Sequence, residues 1–378
     1  MSKHILLTGI TGNLGAFAAC RFLQNGHTVT ALVRARAALT ENAHHKKAIK
    51  SLSAFMDREE AQGYIAAGRL VLVKGEMTVP ESLAAIPAGD VYDETWHFAS
   101  SLKYMPKDND EIMAANLGGL QNILDVHRRH CHAASRFIYI STAYVGGKST
   151  GTLPEAPVPL SEDATFNNYY EQSKLMAEHL MLDFTRRHGL FSLIFRPSIV
   201  MGDKINGRLI NYTGMFLALD AMASLNEHIR KTSGGRELLR FEADADNRLN
   251  LVPLDDVIDN MCSLNEQVTE PYQVFNITNN TSVTLQQLEE VLNGAFSHLE
   301  IRVATRKDFE ERPRNRNEKL MAYGFNYILP YAKNQLLFNT EKSSAVLGGA
   351  YHYAFYPDAL QKIVAGYVQR KQAVLAPV

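Results

Sequence analysis

The chain has 378 residues, 46% of them hydrophobic and 21% charged, which suits one large core with a smaller appendage and excludes a disordered or fibrous protein. A formal net charge of -1 gives no general attraction to nucleic acid or to an anionic membrane, so partners must be selected at local sites. Cys20, Cys131 and Cys262 are odd in number, far apart and without metal-ligand spacing, and read as buried thiols of a reducing compartment.

Met1-Ser2-Lys3-His4 leads straight into an apolar stretch, with no long hydrophobic region followed by a small-residue cleavage site. No apolar run reaches membrane-spanning length, so a cytoplasmic enzyme without an integral membrane segment is expected. Short apolar runs then alternate with helical patterns. Strands are predicted at Ile5 to Thr8, Thr28 to Val33, Leu70 to Val73, Thr95 to Ala99, Arg136 to Ser141 and Ser192 to Arg196. Helices are predicted at Asn13 to Gln24, Asp110 to His130 and Tyr169 to His188. This order predicts an α/β fold, a Rossmann-type doubly wound parallel sheet over residues 1–202. Residues 203–378 are expected to form mainly a smaller substrate-binding lobe, interleaved with the last elements of the core. In that part, Thr213 to Leu225 and Thr284 to Phe296 read as helices, Gly234-Gly235 as a turn, and Arg306 to Lys319 as a strongly charged segment.

Thr8-Gly9-Ile10-Thr11-Gly12-Asn13-Leu14-Gly15 follows the first strand and opens the first helix, the context in which a glycine-rich turn binds a pyrophosphate. Gly9 permits the tight turn, Gly12 lets backbone approach the phosphates, and Gly15 lets the helix pack closely. Free N–H groups at the helix start complete the anion site. The second strand ends Leu32-Val33-Arg34-Ala35-Arg36, where an acidic residue would hold a ribose diol. An arginine there suits a 2′-phosphate instead, which favours NADP(H), with Arg34 ahead of Arg36. His44-His45-Lys46-Lys47 offers further positive charge nearby or, as the simpler reading, a solvated basic turn.

Tyr170 and Lys174 stand four residues apart on a helical face, so an ammonium lies beside a phenol. Bringing a phenol near neutrality asks for roughly 4 kcal/mol, much of which a lysine charge and an oxidised nicotinamide would supply. Tyr169 lacks the four-residue offset. Thr142, with Ser141 second, ends a predicted strand, where the ligands of a parallel sheet gather, and its hydroxyl suits a substrate oxygen that takes up charge.

Together Thr8 to Gly15, Ser141-Thr142-Ala143, Tyr170 with Lys174, and Arg196-Pro197-Ser198-Ile199-Val200 resemble the extended short-chain dehydrogenase/reductase superfamily. Trp96-His97-Phe98-Ala99, Ala115-Asn116-Leu117-Gly118-Gly119, Ser141 to Gly147, Phe166 to Lys174 and Arg196 to Asp203 are most similar to its thioester-reductase and fatty-acyl reductase branch. The resemblance implies a catalytic trio of Thr142, Tyr170 and Lys174, with Lys174 also on the nicotinamide ribose. It implies cofactor contacts from Ala99, Ser100, Pro197, Ser198, Ile199 and Val200, with Pro197 and Ser198 beside the nicotinamide. Gly75-Glu76-Met77 stands where the family usually has Gly-Asp on the adenine, a departure at Glu76. Asn116 falls either near the cofactor or in a structural helix role.

The implied activity is NADPH-dependent reduction of an acyl thioester, on CoA or a carrier protein, to an aldehyde or alcohol. Met201, Met215, Phe216, Leu217, Leu219 and Met222 offer an acyl pocket or simply core. Arg306, Lys307, Arg312, Arg314 and Arg316 offer a phosphopantetheine or carrier contact or a solvated connector. The competing readings are a sugar-nucleotide epimerase or dehydratase, a hydroxysteroid-type dehydrogenase, and a non-catalytic NADP(H)-binding protein. Tyr144 stands where such a dehydratase places an acid, which disfavours that option.

Overall fold

The computed structural model describes residues 2–34, 43–87, 89, 91–205, 207–325, 328–333, 336–348 and 357–375. Seven strands form one parallel sheet: β1 (His4–Thr8), β2 (Thr28–Val33), β3 (Leu70–Lys74), β4 (Tyr92–His97), β5 (Cys131–Ile140), β6 (Phe191–Pro197) and β7 (Gln273–Ile277). Their spatial order is β3-β2-β1-β4-β5-β6-β7. The order reverses between β1 and β4, and a crevice at such a point is where open α/β sheets bind ligands.

Alternation along β1 explains the two helical layers. Ile5 and Leu7 point to one face, packed with Ala16, Ala19 and Leu23 of the helix Asn13–Gln24. Leu6 points to the other, packed with Leu120, Ile123 and Leu124 of the helix Gly119–His130. Neither face is wet, so these strands are continuous apolar runs rather than alternating ones.

β4 ends at His97, two residues short of the predicted end, because the Thr8 hydroxyl takes the Ala99 N–H (3.2 Å) and turns the chain out of the sheet. The helix predicted from Asp110 to His130 is interrupted by a π-helical turn at Ala114–Gly118. Sequence periodicity missed β7, which returns to the sheet beside β6 after a long excursion, with Val274 pairing Ile194 and Asn276 pairing Arg196. It also missed the helices Leu254–Gln267 and Asp358–Leu375.

The excursion builds a second core. Met201, Met215, Phe216, Leu219 and Met222 are buried there with Leu288, Leu292, Leu360 and Ile363, and Leu217 is exposed. The methionine-rich helix, Met215–Thr232, is therefore core and not an acyl pocket. The segment from Arg306 to Lys319 is a charged connector: Arg306 pairs with Glu310, Lys307 with Glu311 and Arg314 with Glu242. Cys20 is buried, whereas Cys131 and Cys262 are only half-buried, and all three are free thiols. Among the described residues, no helix is long and apolar enough to cross a membrane.

Candidate active site

A cavity of about 1000 Å³ lies over the C-terminal ends of the strands. The glycine-rich turn forms its floor. Gly9 takes φ +84°, and a Cβ there would stand 2.7 Å from the Ala99 nitrogen. At Gly15 a Cβ would stand 2.3 Å from the Gly9 carbonyl oxygen, so the turn closes on itself only with glycine at both places. Gly12 differs. A Cβ there would make only an ordinary 3.4 Å contact with protein, so packing within the chain does not explain this glycine. The helix behind it begins without a side-chain cap, and its first-turn N–H groups have no intrahelical acceptors. A backbone surface bare of side chains before an uncapped helix start suits a pyrophosphate, and these residues fit a dinucleotide.

The other predicted contacts are distributed around the same cavity. Thr8, Thr11, Asn13, Leu14, Ala99 and Ser100 line it near the turn, and Pro197, Ser198, Ile199 and Val200 line it further along. The Thr8 hydroxyl is already bonded to His97 Nδ1 (2.9 Å) and Ala99 N, so its work is to fix the turn. The Ser198 hydroxyl donates to Asn250 Oδ1 (2.7 Å). Arg34, Glu76 and Met77 also line the cavity, together with Lys47 of the basic segment. The Arg34 guanidinium is largely exposed and 3.9 Å from the Glu76 carboxylate, an ion pair weak enough to yield to a phosphate. Arg36 lies outside the described residues.

Asn116 does not line the cavity. It is buried in the π-helical turn, where Oδ1 accepts from Ser101 N (2.7 Å) and Ser100 Oγ (3.0 Å) while Nδ2 donates to Ser173 Oγ (2.9 Å). With its amide spent in this way, Asn116 ties the 100–101 segment to the helix that carries Tyr170 and Lys174, a positioning role.

That helix, Tyr169–His188, starts at Asn168, whose side chain accepts the Glu171 N–H (3.0 Å). The start presents Tyr170 and Lys174 to the cavity beside the end of β5, where Ser141 and Thr142 also line it. Lys174 is 2% exposed, donates to the Ile140 carbonyl (2.7 Å), and has its ammonium 5.7 Å from the centre of the Tyr170 ring. Burial pulls the Lys174 pKa down to about 7, against the opposing pull of Glu178. Burial also pushes the Tyr170 phenol up, helped by Tyr104 and Glu171. Burial thus pushes both side chains toward their uncharged forms. Thr142 Oγ1 accepts the Tyr144 N–H (3.3 Å), which leaves its hydroxyl proton available, and Ser141 Oγ is buried without a hydrogen-bond partner.

Beyond the trio, the wall is aromatic. Tyr104 meets Tyr170 edge-on at 5.8 Å, and Tyr331 packs against Tyr144 at 4.4 Å. Neither Tyr104 nor Tyr331 belongs to a motif, and Tyr331 arrives from the C-terminal part of the chain, so no sequence signal pointed to them. Lys103 lines this wall too, but donates to Glu111 (2.5 Å) and Asp108 (3.4 Å).

A putative UDP-arabinose 4-epimerase of Arabidopsis thaliana is 28% identical over 216 residues, covering 54% of this chain and 43% of its own. A 3 beta-hydroxysteroid dehydrogenase/Delta 5-->4-isomerase of Mycobacterium tuberculosis is 27% identical over 208 residues, covering 53% of this chain and 48% of its own. The chain thus spans about half the length of the curated relatives it matches. Among solved structures, a thiolation-reductase di-domain from an archaeal non-ribosomal peptide synthetase superimposes with a TM-score of 0.77 at 18% identity, covering all of this chain and 77% of that one. The similarity supports the fold alone. The male sterility protein profile, an NAD-binding one, matches residues 7–261, and the chain belongs to that family within the extended short-chain dehydrogenase/reductase superfamily.

Proposed function

We propose that this chain is an NADPH-dependent reductase acting on a thioester carbonyl of an acyl-CoA or acyl-carrier substrate, giving an aldehyde or, after a second round, an alcohol. The observation that carries this reading is the wall opposite the dinucleotide. Tyr104, Tyr144, Ile328 and Tyr331 make it aromatic and apolar, and its described cation, Lys103, is already committed to Glu111 and Asp108. A nucleotide sugar carries a diphosphate that asks for uncommitted cations or donors, whereas a neutral acyl group asks for apolar walls.

A bound nicotinamide supplies the hydride. Thr142 and Tyr170 are arranged to bond the carbonyl oxygen as charge gathers there. Tyr170, kept protonated by burial, is in the form that donates. The phenolate left behind draws the nearby Lys174 amine back to its charged form, and that ammonium stabilises it in turn. After hydride reaches the acyl carbon and a proton reaches its oxygen, the hemithioacetal breaks its C–S bond. The oxygen proton is lost, the thiolate leaves and takes up a proton, and an aldehyde remains.

NADPH oxidation followed with acyl-CoA thioesters, acyl-carrier thioesters, aldehydes and nucleotide sugars tests the assignment. Thioester turnover is the expected result; turnover of nucleotide sugars with none of thioesters overturns it. At the other end, Arg34 and Lys47 support preference for the 2′-phosphorylated cofactor.

A further inference from the structure

Asn13, the first residue of the helix behind the glycine-rich turn, uses its side chain on a distant part of the chain. Its Oδ1 accepts the N–H groups of Ile210 (2.8 Å) and Asn211 (2.9 Å), and its Nδ2 donates to the Asn211 carbonyl (2.8 Å). Asn211 Nδ2 in turn reaches the Thr11 carbonyl (3.4 Å). One primary amide thus reads a stretch of backbone as a neighbouring strand would, although no strand pairing exists there.

Residues 207–214 are anchored at their other end by the helix Asp358–Leu375. Gly207 packs so tightly on that helix that a Cβ would stand 2.6 Å from the Ile363 carbonyl oxygen, and the Gly207 carbonyl accepts from Arg370 (2.7 Å). Between these two fixings, Asn211, Thr213 and Gly214 line the same cavity as Gly12, Asn13 and Leu14. The segment therefore bridges the C-terminal part and the pyrophosphate turn.

We propose that residues 207–214 are a strap retaining the dinucleotide, and that Asn13 is its latch, a positioning residue that governs how fast the cofactor leaves. The inference rests on the dinucleotide occupying this cavity. The strap is held to the turn by side-chain hydrogen bonds at a partly exposed place, the kind of contact that opens locally while the core stays folded.

Stopped-flow displacement of bound NADPH, followed by its fluorescence, reads the latch directly. In Asn13→Ala, release is expected to accelerate about ten- to hundredfold, as loss of two to three ordinary hydrogen bonds implies. The association rate and melting temperature should stay close to wild type, a split that a general structural defect would not give. Asn211→Ala, which keeps the backbone groups read by Asn13 and removes only the 3.4 Å contact with Thr11, should accelerate release less than Asn13→Ala does, and a larger effect overturns the assignment of the latch to Asn13. A release rate unchanged in a folded Asn13→Ala protein overturns the proposal. Should that variant not fold, hydrogen exchange on the wild type decides. The amides of Ile210 and Asn211 must slow when NADPH binds, and equal exchange with and without NADPH overturns the latch. A wild type that binds neither NADPH nor NADH refutes the dinucleotide site itself.

Discussion

Lys174→Met should make the protein more stable and abolish its chemistry. Burial moves this lysine from 10.5 to about 7, so the native state resists its protonation while the unfolded chain accepts it readily. At about 1.4 kcal/mol per pKa unit, the penalty for a charged Lys174 amounts to ~5 kcal/mol. Methionine removes that penalty but also strips the Ile140 carbonyl of its 2.7 Å donor, a loss of about 1–3 kcal/mol. The net gain is therefore about 2–4 kcal/mol. Its pH dependence follows from the direction of the shift. Between about 7 and 10.5 the unfolded state binds the proton and the native state does not, so wild-type stability rises with pH through that window. The advantage of the variant should be greatest below pH 7, cross zero between about pH 8 and pH 10, where the remaining penalty equals the lost hydrogen bond, and reverse near pH 10.5. Urea unfolding of both proteins at pH 6.5 and pH 10 measures it. A variant less stable than wild type at pH 6.5, or a difference equal at the two pH values, would refute the reasoning.

Tyr170→Phe should lower kcat by about 10²–10⁴-fold with cofactor affinity kept within threefold, read by single-turnover kinetics and fluorescence titration; undiminished turnover removes Tyr170 from proton transfer. Arg34→Ala should weaken NADPH about 10- to 100-fold and leave NADH unchanged, and equal losses for both contradict the phosphate contact. The two turn glycines should separate in their effects. Gly15→Ala, with its Cβ 2.3 Å from the Gly9 oxygen, should lose folded protein, as seen by circular dichroism. Gly12→Ala should keep a near-native melting temperature while dinucleotide binding falls at least tenfold, because its Cβ intrudes on ligand space; undiminished binding argues against a pyrophosphate there.

The sequence made the candidate site legible where function imposes local spacing. Gly9, Gly12 and Gly15 declare a turn, and Tyr170 with Lys174 declares one helical face, because each pattern fits within a few residues. Thr142 is readable because it ends an apolar run. Asn116 is visible only through family resemblance, and its role depends on a π-helical turn, which leaves no periodic trace. Tyr104, Tyr331 and Asn211 could not be found in advance, since their meaning lies in contacts with Tyr170, Tyr144 and Thr11 that the fold creates across long separations. The charge balance at Tyr170 and Lys174 is not legible in spacing for a related reason. Spacing reveals that a lysine neighbours a phenol, but the burial that opposes the charge on both, and the Glu178 carboxylate that partly offsets it at Lys174, depend on packing that the fold creates.

The position of β7 matters during synthesis as well as in the finished protein. Its residues are translated long after β6, and at roughly 5–20 residues per second the interval lasts several seconds. During that time Phe191–Pro197 is a nascent border strand with open hydrogen-bonding groups and apolar side chains such as Leu193, Ile194 and Phe195. Such a border invites pairing with another nascent chain. A fragment stopped at residue 202 would carry this liability permanently, so it should aggregate or require a chaperone, whereas a fragment extended past Ile277 supplies the strand that covers it.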